Sequence, residues 1–251
     1  MSDSKLDKAA QIIKNSENIV VFTGAGISTE SGIPDFRSEN GIWSRYDPSL
    51  HANYFVFLEN PEPFWTMHNE LSEELDDAQP NAAHKAIAEL EKMGKVNCVI
   101  TQNIDMLHQK AGSGKYDDVP IYELHGSYAK IKCIDCGKEY ELDEINTKKE
   151  PYPVCRECSG FIKPKVILFG ESLPIGVLNS AIRSVKGADC LLMIGSSLQI
   201  SPANSIPPTA KQHGAKVIFI NKEPTVMDDL ADVIVQGKAA EIFSELMKKL
   251  K

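Results

Sequence analysis

Six short apolar runs, most of them rich in β-branched residues, punctuate the chain at 19–23, 96–101, 165–169, 190–194, 216–220 and 232–235. Runs this continuous suit strands buried on both faces of a parallel sheet, where neither side of the pleat meets water. Between them lie stripes of helical period: Leu6, Ala9, Ala10 and Ile13; Ala83, Ala86, Ile87 and Leu90; Leu178, Ile182 and Val185; Ile242, Phe243, Leu246 and Leu250. Strands alternating with helices predict an α/β fold with a doubly wound parallel sheet. Two stretches break the rhythm. Residues 37–80 are rich in aromatics and prolines and read as loop plus helices, and residues 130–161 are charged and hold four of the six cysteines. Both read as insertions into the α/β frame.

The cysteines of the second insertion are spaced for a metal. Cys133-x-x-Cys136 is followed, after 18 residues, by Cys155-x-x-Cys158. Two such turns facing each other close a four-sulfur tetrahedron, the geometry of a structural zinc site with no open coordination position. Gly137 and Gly160 follow the two turns, where a left-handed backbone is useful. Cys98 and Cys190 fall inside strand-like runs and read as core residues. The N-terminus shows no basic segment followed by an apolar one, so the expected compartment is the cytoplasm, where cysteines stay reduced. The longest apolar runs, 18–22 and 190–194, fall far short of the about 20 residues of a membrane span. Lys plus Arg is 27 and Asp plus Glu is 35, a formal net charge of −8. Duplex binders neutralise phosphates with an excess of basic residues, so direct nucleic-acid binding is not expected.

The first apolar run passes into GAGIST at 24–29. A glycine loop after the first strand of a doubly wound sheet is a pyrophosphate site, because backbone N–H groups can approach the phosphates. Alone it is a weak signal and also readable as a tight turn: the full G-x-G-x-x-G is absent, and no acidic residue is clearly placed about 20 residues on. Extended to GAGISTESGIPDFRSENGIW, residues 24–43, it resembles the nucleotide-binding signature of the sirtuins, NAD-dependent protein deacylases. Further motifs follow in that family's order: TQNID (101–105), LHGS (124–127), the two cysteine pairs, PKVILFGE (164–171), GSSLQISPA (195–203) and IN (220–221). The resemblance runs from about Val20 to the C-terminal helical stripe and is to a prokaryotic-type member reduced to its catalytic core.

The resemblance implies a Rossmann-like NAD-binding domain from residues 1–37, 90–128 and 162–251. It also implies a smaller domain made of a helical insertion (38–89) and a zinc-ribbon module (129–161). It implies an NAD-dependent protein lysine deacetylase that transfers the acyl group of acetyl-lysine proteins to ADP-ribose. The acyl oxygen attacks the ribose carbon as nicotinamide leaves, giving an alkylamidate. His125 then activates a ribose hydroxyl, and the final products are free lysine, nicotinamide and 2′-O-acetyl-ADP-ribose. Cofactors are NAD, as co-substrate, and one structural zinc ion.

Residue by residue, the resemblance places Gly24, Ala25, Gly26 and Thr29 at the pyrophosphate and nearby ribose. Asp35, Phe36 and Arg37 form a covering loop, with Arg37 on phosphate and Phe36 over the nicotinamide end. Gln102 meets the nicotinamide ribose, Asn103, Ile104 and Asp105 shape the nicotinamide pocket, and His125 is the base; His125, Asn103 and Asp105 are the catalytic set. Gly195, Ser196 and Ser197, then Asn221 and Lys222, then Lys238 and Ala239 approach the distal ribose, phosphates and adenine. Gly170 with Glu171, and Ser197 with Leu198 and Gln199, form the edges between which an acyl-lysine peptide lies as an added strand. Val166, Ile167 and Phe169 line its tunnel. Members that prefer succinyl or malonyl groups carry Tyr-x-x-Arg in the helical insertion. Counting back from Pro80, those positions hold His68 and Leu71, which favours acetyl or longer neutral acyl groups. Of the other histidines, His84 and His108 read as scaffold positions and His51, His68 and His213 as loop or surface. Competing readings are a mono-ADP-ribosyltransferase, a non-enzymatic NAD sensor or zinc-ribbon binding module, and a dehydrogenase.

Overall fold

The computed structural model describes residues 3–116, 119–149 and 151–250. In chain order the helices and strands begin with α1 (Asp3–Asn15), β1 (Ile19–Thr23), α2 (Pro48–His51), α3 (Tyr54–Glu59), α4 (Glu62–Asp77) and α5 (Ala82–Lys92). Then come β2 (Val96–Thr101), α6 (Leu107–Ala111), β3 (Ile121–Glu123), β4 (Gly126–Cys133), β5 (Glu139–Glu141) and β6 (Ile162–Val166). The chain finishes with α7 (Ile175–Lys186), β7 (Cys190–Ile194), α8 (Ile206–Gln212), β8 (Lys216–Asn221), β9 (Val233–Gln236) and α9 (Ala239–Leu250).

Six strands form one sheet in the order β3-β2-β1-β7-β8-β9, every neighbouring pair parallel. Counted within that sheet the order is 3-2-1-4-5-6, the doubly wound Rossmann arrangement. All five residues of β1 and of β7 are buried, as expected for strands covered on both faces. Alternate strand residues divide the interior in two. Ile19, Val21, Leu192 and Ile218 meet α1, α5 and α9 on one face; Val20, Phe22, Leu191 and Phe219 meet α7 and α8 on the other. A third core joins α3 and α4 to a small antiparallel sheet of order β5-β4-β6. Among the described residues no helix is long and apolar enough to cross a membrane.

Two elements depart from expectation. The apolar run at 165–169 is not a strand of the parallel sheet: the strand is β6, three residues earlier, and it pairs antiparallel with β4. A continuous apolar run reports burial but not which sheet supplies it. Instead β3 completes the parallel sheet, and its three residues are too few to carry a pattern. The helix α5 packs Ala83, Ala86, Ile87 and Leu90 into the large core. The helix α5 therefore runs across the boundary expected at 89, while β6, which starts at 162, lies wholly beyond the second boundary yet belongs to the small sheet.

Candidate active site

The carboxyl ends of β1 and β7 meet where the strand order reverses, the place in such sheets where a crevice opens for a ligand. The loops there are in main-chain contact. Gly24 N–H donates to the Ile194 carbonyl (3.0 Å), Gly26 N–H to the Gly195 carbonyl (2.8 Å) and Gly195 N–H to the Ile220 carbonyl (3.0 Å). A Cβ on Gly24 would stand 2.8 Å from Gly195 O, and one on Gly26 2.7 Å from Gly195 Cα. The glycines are thus required by loop-on-loop packing even before a ligand approaches. Asn81 caps α5 through Ala83 N–H (2.9 Å) and donates to the Ile27 carbonyl (2.7 Å), tying the glycine loop to the helix beneath it.

Below this loop the residues after β2 form a closed network. Asn103 donates through Nδ2 to Gly24 O and to Ser28 Oγ, both at 3.2 Å. Ser28 Oγ donates to Asp105 Oδ2 at 2.6 Å, and Leu107 N–H donates to Asp105 Oδ1 at 2.9 Å. Burial raises the Asp105 pKa, and the bonds from Ser28 and Leu107 oppose that rise by favouring the carboxylate. Ser28, 1% exposed, is a site residue the sequence reading passed over. Its signal was its place between Gly26 and Thr29 in the motif.

Two further histidines support this floor. His108 Nε2 lies 3.0 Å from Thr23 Oγ1, His84 Nε2 lies 3.5 Å from Ser28 Oγ, and the two rings are 5.1 Å apart. Burial pushes His84 down to about 4 and His108 well below its ordinary value, so both are neutral. An unfolded histidine takes up its proton near pH 6.5, so the stability these residues confer is complete above that pH and declines below it, the His84 part being lost as the pH falls through about 4. The His84 part amounts to ~3 kcal/mol. Urea unfolding of His84→Gln across this window should show a shallower decline than wild type.

His125 follows β3, anchored by Leu124 N–H on the Thr101 carbonyl at 2.9 Å. Its Nδ1 lies 2.9 Å from the Gln102 carbonyl, so Nδ1 carries the proton and Nε2 the lone pair. Burial lowers its pKa, the Arg37 charge lowers it further, and the Gln102 bond works the other way. The ring is therefore a free base at neutral pH. Arg37 itself is exposed, and its guanidinium makes no ion pair or hydrogen bond among the described residues. Asp35 Oδ1 accepts from Arg37 N–H (3.0 Å) and Ser38 N–H (2.8 Å), so this carboxylate shapes its own loop. Phe36 packs on Trp43 (centroids 5.2 Å), which reaches Phe169 at 6.2 Å.

Toward β8, Gln102 Nε2 donates to Ser196 Oγ (2.9 Å), which also accepts Leu198 N–H (3.2 Å). Asn221 Nδ2 donates to Ser196 O (3.4 Å) and Glu223 O (2.7 Å), leaving its Oδ1 as an acceptor. Gly237 N–H reaches the Asn221 carbonyl (3.0 Å), and Glu30 Oε2 accepts Ala240 N–H (2.6 Å), bringing 238–240 beside the glycine-loop segment. Lys222 is exposed and offers its carbonyl to Gln236, while the Lys238 ammonium pairs with Glu241 at the surface.

On the small-domain side Val166 is buried, Ile167 is half-buried, and Phe169 is 44% exposed. Gly170 has φ +94° and the Phe55 ring over it, and Leu198, 2% exposed, has φ +58°. The Glu171 carboxylate turns inward, 3.1 Å from Lys163 Nζ. His68 is not a surface residue: it sits within α4, 9% exposed, its ring 4.9 Å from Trp65, because the helix turns that face onto the third core.

The four thiols of the insertion converge, with all Sγ atoms within 4.8 Å of one another. Cys133–Cys158 and Cys136–Cys155 are each 3.6 Å apart. A zinc–sulfur bond of 2.3 Å in a tetrahedron implies sulfur–sulfur edges of about 3.8 Å, whereas a disulfide requires about 2.05 Å. The four sulfurs could bind one zinc ion. Gly137 is left-handed (φ +77°), but in the second turn the left-handed residue is Ser159 (φ +61°). Gly160 is needed instead for space, because a Cβ there would fall 2.0 Å from Asp135 Oδ2. Cys98 and Cys190 are fully buried in the two faces of the large sheet.

Comparison with known proteins gives this geometry a lineage. The sequence model of the Sir2 family matches residues 24–202. NAD-dependent protein deacylase 2 of Archaeoglobus fulgidus is 47% identical over 252 residues, covering 99% of this chain and 97% of that protein. A Sir2 structure with a deacetylated p53 peptide and 3′-O-acetyl-ADP-ribose superposes with TM-score 0.91 at 34% identity, covering 97% of this chain and 98% of that one. The structure of Sir2Af2 bound to a myristoylated histone peptide does so with TM-score 0.82 at 42% identity, covering 99% and 97%. Likeness of this depth, in sequence and in backbone along nearly the whole length, means that the chain belongs to the Sir2 family.

Proposed function

We propose that the chain is an NAD-dependent protein lysine deacetylase, releasing nicotinamide and 2′-O-acetyl-ADP-ribose from NAD and acetyl-lysine proteins. The observation that carries this reading is a neutral His125 with its Nε2 lone pair free, near an unpaired Arg37 and joined through Gln102 to the Ser28–Asn103–Asp105 network. NAD supplies a ribose carbon that becomes electrophilic as nicotinamide departs. The chain's residues bind and orient around it. The N–H groups of Ala25 and Thr29, unpaired among the described residues, and the Arg37 guanidinium hold the pyrophosphate. Asp105 meets the nicotinamide carboxamide in a pocket that Asn103 helps to shape, Gln102 meets the near ribose, Ser196 the distal ribose or phosphates, and Asn221 with 238–239 the adenosine end. His125 Nε2 takes the proton of a ribose hydroxyl, while Phe36 excludes water from that end. The cysteines hold zinc with sulfur at every position, a structural role.

An acylated lysine is neutral, so an apolar wall of Val166, Ile167 and Phe169 admits it and disfavours the ammonium form. With His68 and Leu71 in the insertion, no arginine stands at that position to pair a carboxylate. Desolvating an unpaired succinyl carboxylate there would cost several kcal/mol, so acetyl peptides should turn over at least ~10-fold faster than succinyl ones. The reverse ranking in an acyl-peptide panel would reject this assignment. The myristoylated peptide held by Sir2Af2 supports tolerance of long neutral chains. The cytoplasm is the proposed setting, which suits six cysteines with no disulfide among them; proteins rather than nucleic acids are the proposed partners of this acidic chain.

Mass spectrometry of the products tests the central reading. Acetyl-ADP-ribose together with deacetylated peptide is expected. ADP-ribosylated protein without deacetylation would replace the reading with a mono-ADP-ribosyltransferase.

A further inference from the structure

Between β6 and α7 the chain turns through residues 166–171, the stretch assigned above to the acyl-peptide. One charged pair locks it. Lys163 is 6% exposed; its Nζ donates to the Val166 carbonyl at 2.6 Å and lies 3.1 Å from the Glu171 carboxylate. The same carboxylate oxygen accepts Leu168 N–H at 2.8 Å, and Glu171 N–H returns to the Leu168 carbonyl at 3.0 Å. Desolvating an ammonium and a carboxylate offsets most of their attraction, so a buried pair adds little net stability. What it can add is a single conformation.

That conformation joins three parts of the site. Ile167 N–H donates to the carbonyl of His125 (2.9 Å), Phe169 N–H to Ala52 O (2.8 Å), and Tyr54 N–H to Phe169 O (2.9 Å). With those groups engaged, Gly170 is left exposed, with neither its N–H nor its carbonyl paired among the described residues. An unpaired main-chain edge is what an extended peptide adds to.

We propose that Lys163 and Glu171 are positioning residues: their buried clasp sets the Gly170 edge at a fixed place relative to His125 and so governs acyl-peptide affinity, without touching NAD or the reacting atoms. Glu171 thereby acts through its carboxylate on Lys163 and Leu168, not on the substrate side chain. This rests on the deacetylase reading.

Steady-state kinetics on the full chain tests it. In Lys163→Met and Glu171→Gln the KM for an acetyl-lysine peptide should rise about tenfold or more, while the KM for NAD and kcat at saturating peptide change less than about twofold. Lys163→Arg should restore the peptide KM. The double variant Lys163→Met/Glu171→Leu should recover thermal stability, because neither charge is left buried alone, yet keep the raised peptide KM. If Lys163→Met does not fold, Glu171→Gln and Lys163→Arg carry the comparison. An unchanged peptide KM in folded Glu171→Gln, or a double variant with wild-type peptide KM, overturns the clasp. Absence of turnover by the wild type would instead overturn the deacetylase reading.

Discussion

Replacing His125 by alanine should abolish NAD-dependent deacetylation while leaving the fold intact. The ring contributes one hydrogen bond, from Nδ1 to the Gln102 carbonyl, and no residue of the large cores. Losing it costs the scaffold little, whereas removing a general base costs ~10²–10⁴ in rate. The pH profile gives an independent check. Because burial and Arg37 both depress the His125 pKa, the active neutral form persists below the pH at which an exposed histidine would titrate. The acidic limb of kcat/KM should therefore lie below pH ~6.5. Arg37→Gln should move that limb upward, besides raising the KM for NAD. Turnover by His125→Ala close to wild type, or an acidic limb well above that of free histidine, would reject the base assignment.

The second large effect is on folding. Cys155→Ala should leave the small domain unable to form, with loss of soluble protein or a marked rise in protease sensitivity. Cys133 and Cys155 are buried in the third core beside Ile131, Tyr140 and Ile162, and Tyr140 Oη lies 3.1 Å from Cys155 Sγ. A four-thiolate zinc site contributes ~10 kcal/mol or more to folding, comparable with the ~5–15 kcal/mol that separates a whole domain from its unfolded state. Metal analysis should find one zinc per chain, and a strong chelator should reproduce the variant's behaviour in wild type. A chain without zinc, or a stable and active Cys155→Ala protein, would refute the assignment.

Much of the site was legible because it rests on local necessity. A glycine is compulsory where two loops meet backbone to backbone, and two Cys-x-x-Cys turns facing each other bring four sulfurs to one point. Such requirements leave motifs. Ser28, His84 and Lys163 left none of comparable clarity. Ser28 stands inside the glycine-loop motif, but its role shows only when Asp105, 77 residues on, is seen 2.6 Å away. Lys163 falls between the charged insertion and the PKVILFGE motif with no role of its own, and Glu171 reads as a substrate contact, until the fold buries them against each other.

The sequence by itself determined the class of fold, the strand-then-glycine entry to the loop after β1 and a cysteine spacing that brings four sulfurs together; His125 as the base is what the family resemblance implies. The fold class follows from the alternation of apolar runs and helical stripes along the chain, and the cysteine set from spacing within two short turns. Only the tertiary structure decided that 165–169 belongs to a small antiparallel sheet and not to the parallel one, that His68 faces inward, and that Glu171 answers to a buried lysine. Burial and pairing between distant segments are set by which surfaces meet when the chain closes, and an apolar run or a lone charge reads the same whichever partner it finally meets.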